Sequence, residues 1–563
     1  MPDLLIQGGT IIDGIGNPAL RADLRVRDGR IVTIASDLAP GEEQVIDARG
    51  LTLTPGFIDG HTHHDPSLFW DSSCDPLPAH GVTTIVTGNC SLSLAPVRAR
   101  DRSQLIDMFC FIEDLPVEAF ERGIPWTWES FAEYRSSFDA QGAAVNQASF
   151  VGHSALRLYV MGDDAYTRRS DDLERERIVR VFESCLEAGA FGLSTSFADV
   201  DRHGRAVPSR AADDDEFRAL LSKMAERGRG VLEFVPRMQN PSEQMADIER
   251  VHALGQATGI PATWTQLVVS EMSVPLVDQL LEQAARTQAE GPGVFPQVSP
   301  RPFDVNLSFE STPLFRSQPS WHALVQASHE AKRSMLADAA WRERARAEFE
   351  APGPSLFPID RPEQILLTGT KNPEQKAWLG DSLAKIAETR GVHLADALAD
   401  LLLTNDLDPG ITMVDLSNED PEQVARLVTS SHTLCAASDA GAHSQMFCGA
   451  GDATLLLTRF VRERRDMALP EAIRRLTSEL TDFFDIPDRG RIAEGAIADL
   501  ALFDLETLHW PKAHFVSDLP GGGRRLSRPP GGYRATIVSG VVTHTMGADT
   551  GARPGRMLTP RAR

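Results

Sequence analysis

Two histidines two residues apart, directly behind an apolar run, are the first feature of this chain that could do chemistry. In TPGFIDGHTHHDP (residues 54–66), His61, His63 and His64 crowd together although the chain holds only 15 histidines in 563 residues, so chance placement explains them poorly. If the apolar run is a strand, His61 and His63 project to one side and can face a single ion, while His64 points away as a bystander. A histidine-rich surface loop would give the same letters, so other residues must decide. Cys90 closes the next β-branched run, GVTTIVTGNC; a thiolate beside two imidazoles suits zinc, and a buried apolar cysteine is the plainer alternative. Asp439, in LCAASDAGAH, follows a third apolar run. A carboxylate there could complete the metal site and shuttle a proton from bound water, although aspartate near a glycine is also a common turn former. His153, ending QASFVGHS, is a candidate donor to a developing oxyanion, with a core histidine as its alternative. His443 is a candidate for substrate contact.

These residues must be positioned by the elements around them. The first fifty residues alternate apolar and polar positions in short strands, with Asp28-Gly29 marking a hairpin, and the C-terminal stretches GAIADLALFDLETL and GYRATIVSGVVTHTMG do the same, with a turn near Ser539-Gly540. Two β-rich ends suggest termini that meet in one small β-sandwich domain, residues 1–54 and 490–563, because hairpins alone are marginal in water. Between them, β-branched runs alternate with amphipathic helices such as DDLERERIVRVFESCLEAG and DDDEFRALLSKMAERG, which predicts a parallel sheet and favours a closed (β/α)8 TIM-like barrel over residues 55–489. Barrel active sites lie at the C-terminal ends of the strands, which is where His61, His63 and Cys90 fall. From about 292 to 358 the alternation breaks into proline and aromatic residues, read as an insertion capping the barrel mouth. Phe303, Phe309, Phe315 and Trp321 there would line an apolar pocket or simply form core. The last residues, PGRMLTPRAR, are expected to fray.

Bulk composition removes several classes of function. A net charge of −23 repels phosphate backbones and anionic membranes, so no nucleic acid or membrane partner is expected. No window approaches the roughly 18 apolar residues of a membrane helix, and MPDLLIQGG lacks the basic and apolar regions of a secretory signal. Six cysteines without framework spacing fit reduced thiols, so a cytoplasmic protein is expected. The partner is a small-molecule substrate; the sequence sets no oligomeric state and allows a homo-oligomer.

At this point the chain resembles a known family. GGTIIDGIGNP, PGFIDGHTHHD, GVTTIVTGNCSLSLAP, FVGHSALR, EAGAFGLSTSF, AVPSR, SDAGAH and RGRIAEGAIADLALFD are similar to stretches of the amidohydrolase superfamily, within it the D-aminoacylase (N-acyl-D-amino-acid deacylase) branch, whose cysteine in the GNC position binds metal. The resemblance implies a barrel plus a β-sandwich from both termini, and a metal-dependent hydrolase acting on an amide C–N bond. Arg157 and Ser196, inside two matching stretches, join His443 as candidates for substrate contact. Members of the branch supply two further histidine ligands from strands that here read GVLEFVPRMQN and PATWTQLVVS, and neither segment holds a histidine. Nor is there an evident carboxylated lysine, and the basic residue that meets the substrate carboxylate is absent. The resemblance therefore implies one zinc ion rather than two, held by His61, His63, Cys90 and Asp439, with Glu233 an additional candidate.

Three functional readings result. The first is a deacylase-like hydrolase in which Asp439 acts as general base and acid on a metal-activated water. The second keeps barrel and metal but changes the bond: a lactam, a carbamate, a non-amino-acid amide or a lyase substrate. The third is a non-catalytic scaffold relative, opposed by the retained HxH pair with Cys90 and Asp439.

Overall fold

The alternation at the two ends of the chain produces one sheet. The computed structural model describes residues 3–561 except 271–272, 308, 310–313, 316 and 352–357. Leu500–Phe503 lies antiparallel to Thr52–Pro55, and this pair joins the N-terminal strands (Leu4–Ile11, Leu20–Arg27, Arg30–Ala35, Gln44–Asp47) to the C-terminal ones (Tyr533–Val538, Val541–Thr545, Ala548–Asp549) in a nine-stranded sheet. Asp28 and Gly29 both adopt positive φ (48° and 75°), as do Ser539 and Gly540 (49° and 76°), which is what two-residue hairpin turns require. Alternate residues Leu4, Ile6, Leu24, Val26, Leu500, Leu502 and Ile537 are fully buried on one face, each contributing about 1.5–3 kcal/mol of burial. The tail does not fray as expected. Gly555 and Met557 bridge to Ala143 and Gln147, and the Leu558 amide donates to the Gln147 carbonyl, so the chain is held to Arg561 by backbone pairing that its Pro- and Arg-rich composition does not advertise.

The middle of the chain forms parallel strands. β1 (Phe57–Asp59), β2 (Val82–Thr87) and β3 (Asn146–Ser149) pair in parallel; β4 (Val151–Gly152), β5 (Gly192–Ser196), β6 (Val231–Val235), β7 (Ala262–Trp264) and β8 (Val294–Pro296) form a second parallel ladder. Helices read from sequence are present at Asp172–Glu187, with a capping box between Asp171 and Glu174, and at Asp214–Glu226, capped by Asp213. The run before Asp439 is not a regular strand. It makes two isolated parallel bridges, Gln297 to Leu434 and Thr62 to Ala440, because Asp439 turns the backbone into the left-handed region at φ 58°. The fold is mixed α/β.

The described chain divides into two compact units. One runs to Arg301 and includes Asp420–Ala442 and the chain from Cys448 onward; the other is Pro302–Glu419 with His443–Phe447. The second unit holds a three-stranded antiparallel sheet, with Gly410–Met413 between Ile365–Gly369 and Val305–Asn306, and helices that include Pro319–Gln326, Ala339–Glu350 and Leu394–Thr404. Phe309, Phe315 and Trp321 stack in sequence, and Trp341 and Phe349 close on Trp321, so these aromatics are the core of this unit. Its bounds differ from the expected insertion at both ends. Residues 294–296 are a strand of the parallel ladder, and the unit continues well beyond 358 through regular helices whose ordinary periodicity hid the boundary. Residues 308, 310–313, 316 and 352–357 of that insertion lie outside the described residues.

Candidate metal centre

His61 and His63 lie just beyond β1, and the chain between them is pinned to its neighbours. The Thr62 amide and hydroxyl both donate to the Val86 carbonyl, at 3.0 and 2.9 Å. On the other side the His63 amide donates to the Ala440 carbonyl at 2.8 Å and the Asp439 amide to the His61 carbonyl at 3.0 Å. With Thr62 fixed on the neighbouring strand, both imidazoles face the same way. Cys90 follows β2 in the left-handed region at φ 54°, where its amide donates to Glu233 Oε2 at 2.9 Å. Non-glycine residues in that region cost on the order of 1–3 kcal/mol and persist where the surroundings over-determine them.

Four donor atoms meet there. Cys90 Sγ lies 3.4 Å from His61 Nε2, and Asp439 Oδ1 lies 3.4 Å from His63 Nε2 and 3.9 Å from His61 Nε2. Tetrahedral zinc bonds of about 2.0–2.3 Å place neighbouring donors roughly 3.3–3.6 Å apart, so the Cys90–His61 and Asp439–His63 contacts have the spacing of ligand pairs, while Asp439 stands further from His61. One donor each from His61, His63 and Cys90 lie within 4.8 Å of one another, as do donors from His63, Glu113 and Asp439. The imidazoles, thiol and Glu113 are buried, and the Asp439 side chain is 22% exposed, the most accessible of the group.

The electrostatics favour a cation. Burial pushes the Cys90 thiol well above its usual value, and Glu233, Glu113, Asp199 and Asp439 push it further. Burial likewise drives Glu113 well up, reinforced by Asp439, Asp199, Asp65 and Glu233. Glu233 rises for the same reason, against the single Cys90 amide that holds it down, and its Oε1 has no hydrogen-bond partner among the described residues. Buried carboxylates gathered around a soft donor are costly in their charged form, and a bound cation would offset that cost. By donor chemistry and by charge, these residues fit a divalent metal.

The other expected site residues fall elsewhere. His64 Nδ1 pairs with Ser67 Oγ at 2.7 Å, and burial holds the ring down at about 3. His153 is not placed to hold an oxyanion: Nε2 bonds Glu216 at 2.8 Å and Nδ1 lies 3.2 Å from Thr195 Oγ1, which leaves neither ring nitrogen to spare. Arg157 is equally occupied, by Glu216 Oε2 at 2.5 Å and the Arg168 carbonyl at 2.8 Å, so it belongs to the same buried network and not to a substrate contact. Ser196 ends β5 and accepts the amides of Ala198 and Asp199, a turn role. His443 belongs to the second unit, where its ring packs on Phe447. Glu113 was not foreseen. It caps the C-terminus of α1 (Arg102–Ile112), where the helix dipole disfavours a carboxylate, and the acid pair Glu113-Asp114 at that end was the available signal.

Comparison with known proteins agrees with this geometry. The amidohydrolase family model matches residues 44–544, and the chain belongs to that family. An uncharacterized Mycobacterium tuberculosis protein is 31% identical over 532 residues, covering 89% of this chain and 84% of its own. The structure of N-acyl-D-glutamate deacylase from Bordetella bronchiseptica, complexed with zinc and a phosphonate inhibitor, superposes with a TM-score of 0.67 at 26% identity over 99% of both chains. D-aminoacylase, which has a binuclear metal centre, superposes with the same score at 23% identity, over 99% of this chain and 100% of its own, and shares the fold. The protein is thus a metal-dependent hydrolase acting on C–N bonds other than peptide bonds, related to the D-aminoacylase branch. No helix among the described residues is long and apolar enough to cross a membrane, and all six cysteines are free.

Proposed function

We propose that the chain hydrolyses the amide bond of a small N-acyl compound at a single zinc ion held by His61, His63, Cys90 and Asp439. The observation that carries this reading is the buried His61, His63 and Cys90 cluster, with the Asp439 carboxylate 3.4 Å from His63 Nε2 beside it. Zinc bound there supplies Lewis acidity, which lowers the pKa of water and polarises a carbonyl. Asp439 is the partly accessible carboxylate beside both imidazoles, and it takes the proton of the attacking water and returns it to the leaving nitrogen. Burial makes the charged forms of Glu113 and Glu233 costly, and a cation bound beside them would favour those charged forms. The parallel strands are read as a (β/α)8 barrel, supported by the bridges from 434–440 to both Gln297 and Thr62, and the terminal sheet as the β-sandwich domain typical of such enzymes. The reading also places the enzyme in the cytoplasm.

One observation favours substrates without a carboxylate beside the scissile bond. Arg237, the basic residue following β6, is tied to Asp247 at 2.7 Å and Glu243 at 3.3 Å, and the charges bearing most on Cys90 and Glu113 are all negative. A neutral amide, lactam or carbamate therefore stands beside an N-acyl-D-amino acid as the substrate. Zinc-loaded protein assayed against N-acyl-D-amino acids and neutral amides separates the two. Asp439→Asn should abolish turnover while His61, His63 and Cys90 retain most of the metal. Turnover persisting in that variant would refute the proton-transfer role, and wild-type protein that takes up no divalent metal would refute the reading altogether.

A further inference from the structure

We propose that Glu113 is a positioning residue that fixes the tautomer and orientation of His63, completing a carboxylate–histidine–metal relay; this rests on the metal-centre reading above. His63 has a carboxylate near each ring nitrogen. Its Nε2 lies 3.4 Å from Asp439 Oδ1 and its Nδ1 3.4 Å from Glu113 Oε1, contacts longer than a formed hydrogen bond, and the three residues offer donors within 4.8 Å of one another. A neutral imidazole carries one proton, so the nitrogen that presents a lone pair to the metal is decided by which nitrogen keeps the hydrogen. An acceptor at Nδ1 keeps the proton there and leaves the Nε2 lone pair turned toward Cys90, His61 and Asp439. Metal capture at Nε2 makes the Nδ1–H more acidic. That draws the present separation toward the roughly 2.7–2.9 Å of a charge-assisted bond.

The placement of Glu113 is specific to that task. It is 2% exposed, at the end of α1, where the helix dipole gives a carboxylate no support and burial makes its charge costly. Leu105, Met108 and Phe109 on the same helix are fully buried and hold that end in place. A neighbouring histidine offers a comparison. His153 also faces a buried carboxylate, Glu216, but that carboxylate is shared with Arg157 and Ser170, and its second ring nitrogen meets a threonine. Glu216 anchors a closed structural network, whereas His63 turns its second nitrogen to a donor set for a cation.

The test is zinc affinity, measured by competition with a chromogenic chelator on the full-length protein. Glu113→Ala is expected to weaken zinc binding about 10–100-fold, the usual consequence of removing such an outer partner. Glu113→Gln keeps an acceptor oxygen and is expected to lose less, and Glu216→Gln, which alters a buried carboxylate elsewhere, to leave zinc affinity unchanged. Nitrogen-15 NMR of histidine-labelled, zinc-loaded protein should show His63 protonated at Nδ1, a readout that does not depend on any variant folding. Unchanged affinity in both Glu113 variants would overturn the proposal. So would a His63 bound to metal through Nδ1, or X-ray absorption and crystallography placing a Glu113 oxygen at about 2.0–2.2 Å from zinc, since Glu113 would then be a ligand. Failure of the wild type to bind divalent metal removes the metal-centre reading and this inference together, whereas wild-type binding with indifferent Glu113 variants removes this inference alone.

Discussion

Gly441 carries the junction between the two halves of the metal centre, and replacing it by alanine should damage both stability and metal binding. Its φ is 91°, and a Cβ added there would stand 2.7 Å from the His63 carbonyl carbon, 2.8 Å from the His64 nitrogen and 2.9 Å from the His63 oxygen. Ordinary contact begins near 3.4 Å, so the two backbones must part by about 0.7 Å, and neither can yield as a side-chain tip would. The left-handed conformation adds about 1 kcal/mol for any residue with a Cβ. Loosening the bond from the His63 amide to the Ala440 carbonyl, 2.8 Å long, adds about another 1 kcal/mol. The sum, about 2 kcal/mol, should appear in denaturant unfolding of the metal-free protein. Because metal-ligand distances tolerate only about 0.2 Å, moving Asp439 from His63 by several tenths of an ångström should also weaken zinc binding by about tenfold or more. Gly204→Ala supplies the control, since Gly204 has φ 75° with nothing within 4 Å of its added Cβ, and should cost only the conformational part. If Gly441→Ala proves no more costly than Gly204→Ala and binds zinc as the wild type does, the close approach is not what holds the centre together.

Other outcomes follow from the same structure. Glu216→Ala leaves Arg157 buried without its counter-charge and should cost about 3–5 kcal/mol in urea unfolding, with the metal-binding constant of the surviving folded protein unaltered. Burial would raise Glu216, yet His153 and Arg157 outweigh it and hold the carboxyl at about 2 against an ordinary 4.5. Its stabilisation is fully present above about pH 4.5 and is lost as pH falls toward 2, a contribution on the order of 3 kcal/mol, so the acid limb of unfolding should be shallower in Glu216→Gln than in wild type. Zinc at a hundred times its Kd should stabilise chelator-stripped protein by about 2.7 kcal/mol in thermal unfolding, and Cys90→Ser should gain markedly less at the same zinc concentration.

That His61, His63 and Cys90 would lie together was legible from strong local signals: an HxH spacing behind an apolar run, and a cysteine at the end of a β-branched one. The hairpins at Asp28-Gly29 and Ser539-Gly540 were legible because only certain residues tolerate the φ values they need. His153 and Arg157 were misjudged since both are polar residues in a matching stretch, and nothing local reveals that Glu216, some sixty residues away in sequence, already occupies them. Glu113 was passed over for the converse reason. An acid at a helix end looks like solvated surface until the fold buries it against His63. The limits of the second unit were hidden because its later helices are as regular as those of the first; what distinguishes them is the aromatic core they share, a property of packing and not of pattern.

His61, His63 and Cys90 are translated well before Asp439, which lies about 350 residues further along the chain. A nascent chain can therefore offer at most three of the four donors until the 434–440 segment emerges and docks beside Thr62. An ion held by all four proposed donors would close a loop from residue 61 to residue 439, and its release would then be coupled to the loosening of that long loop.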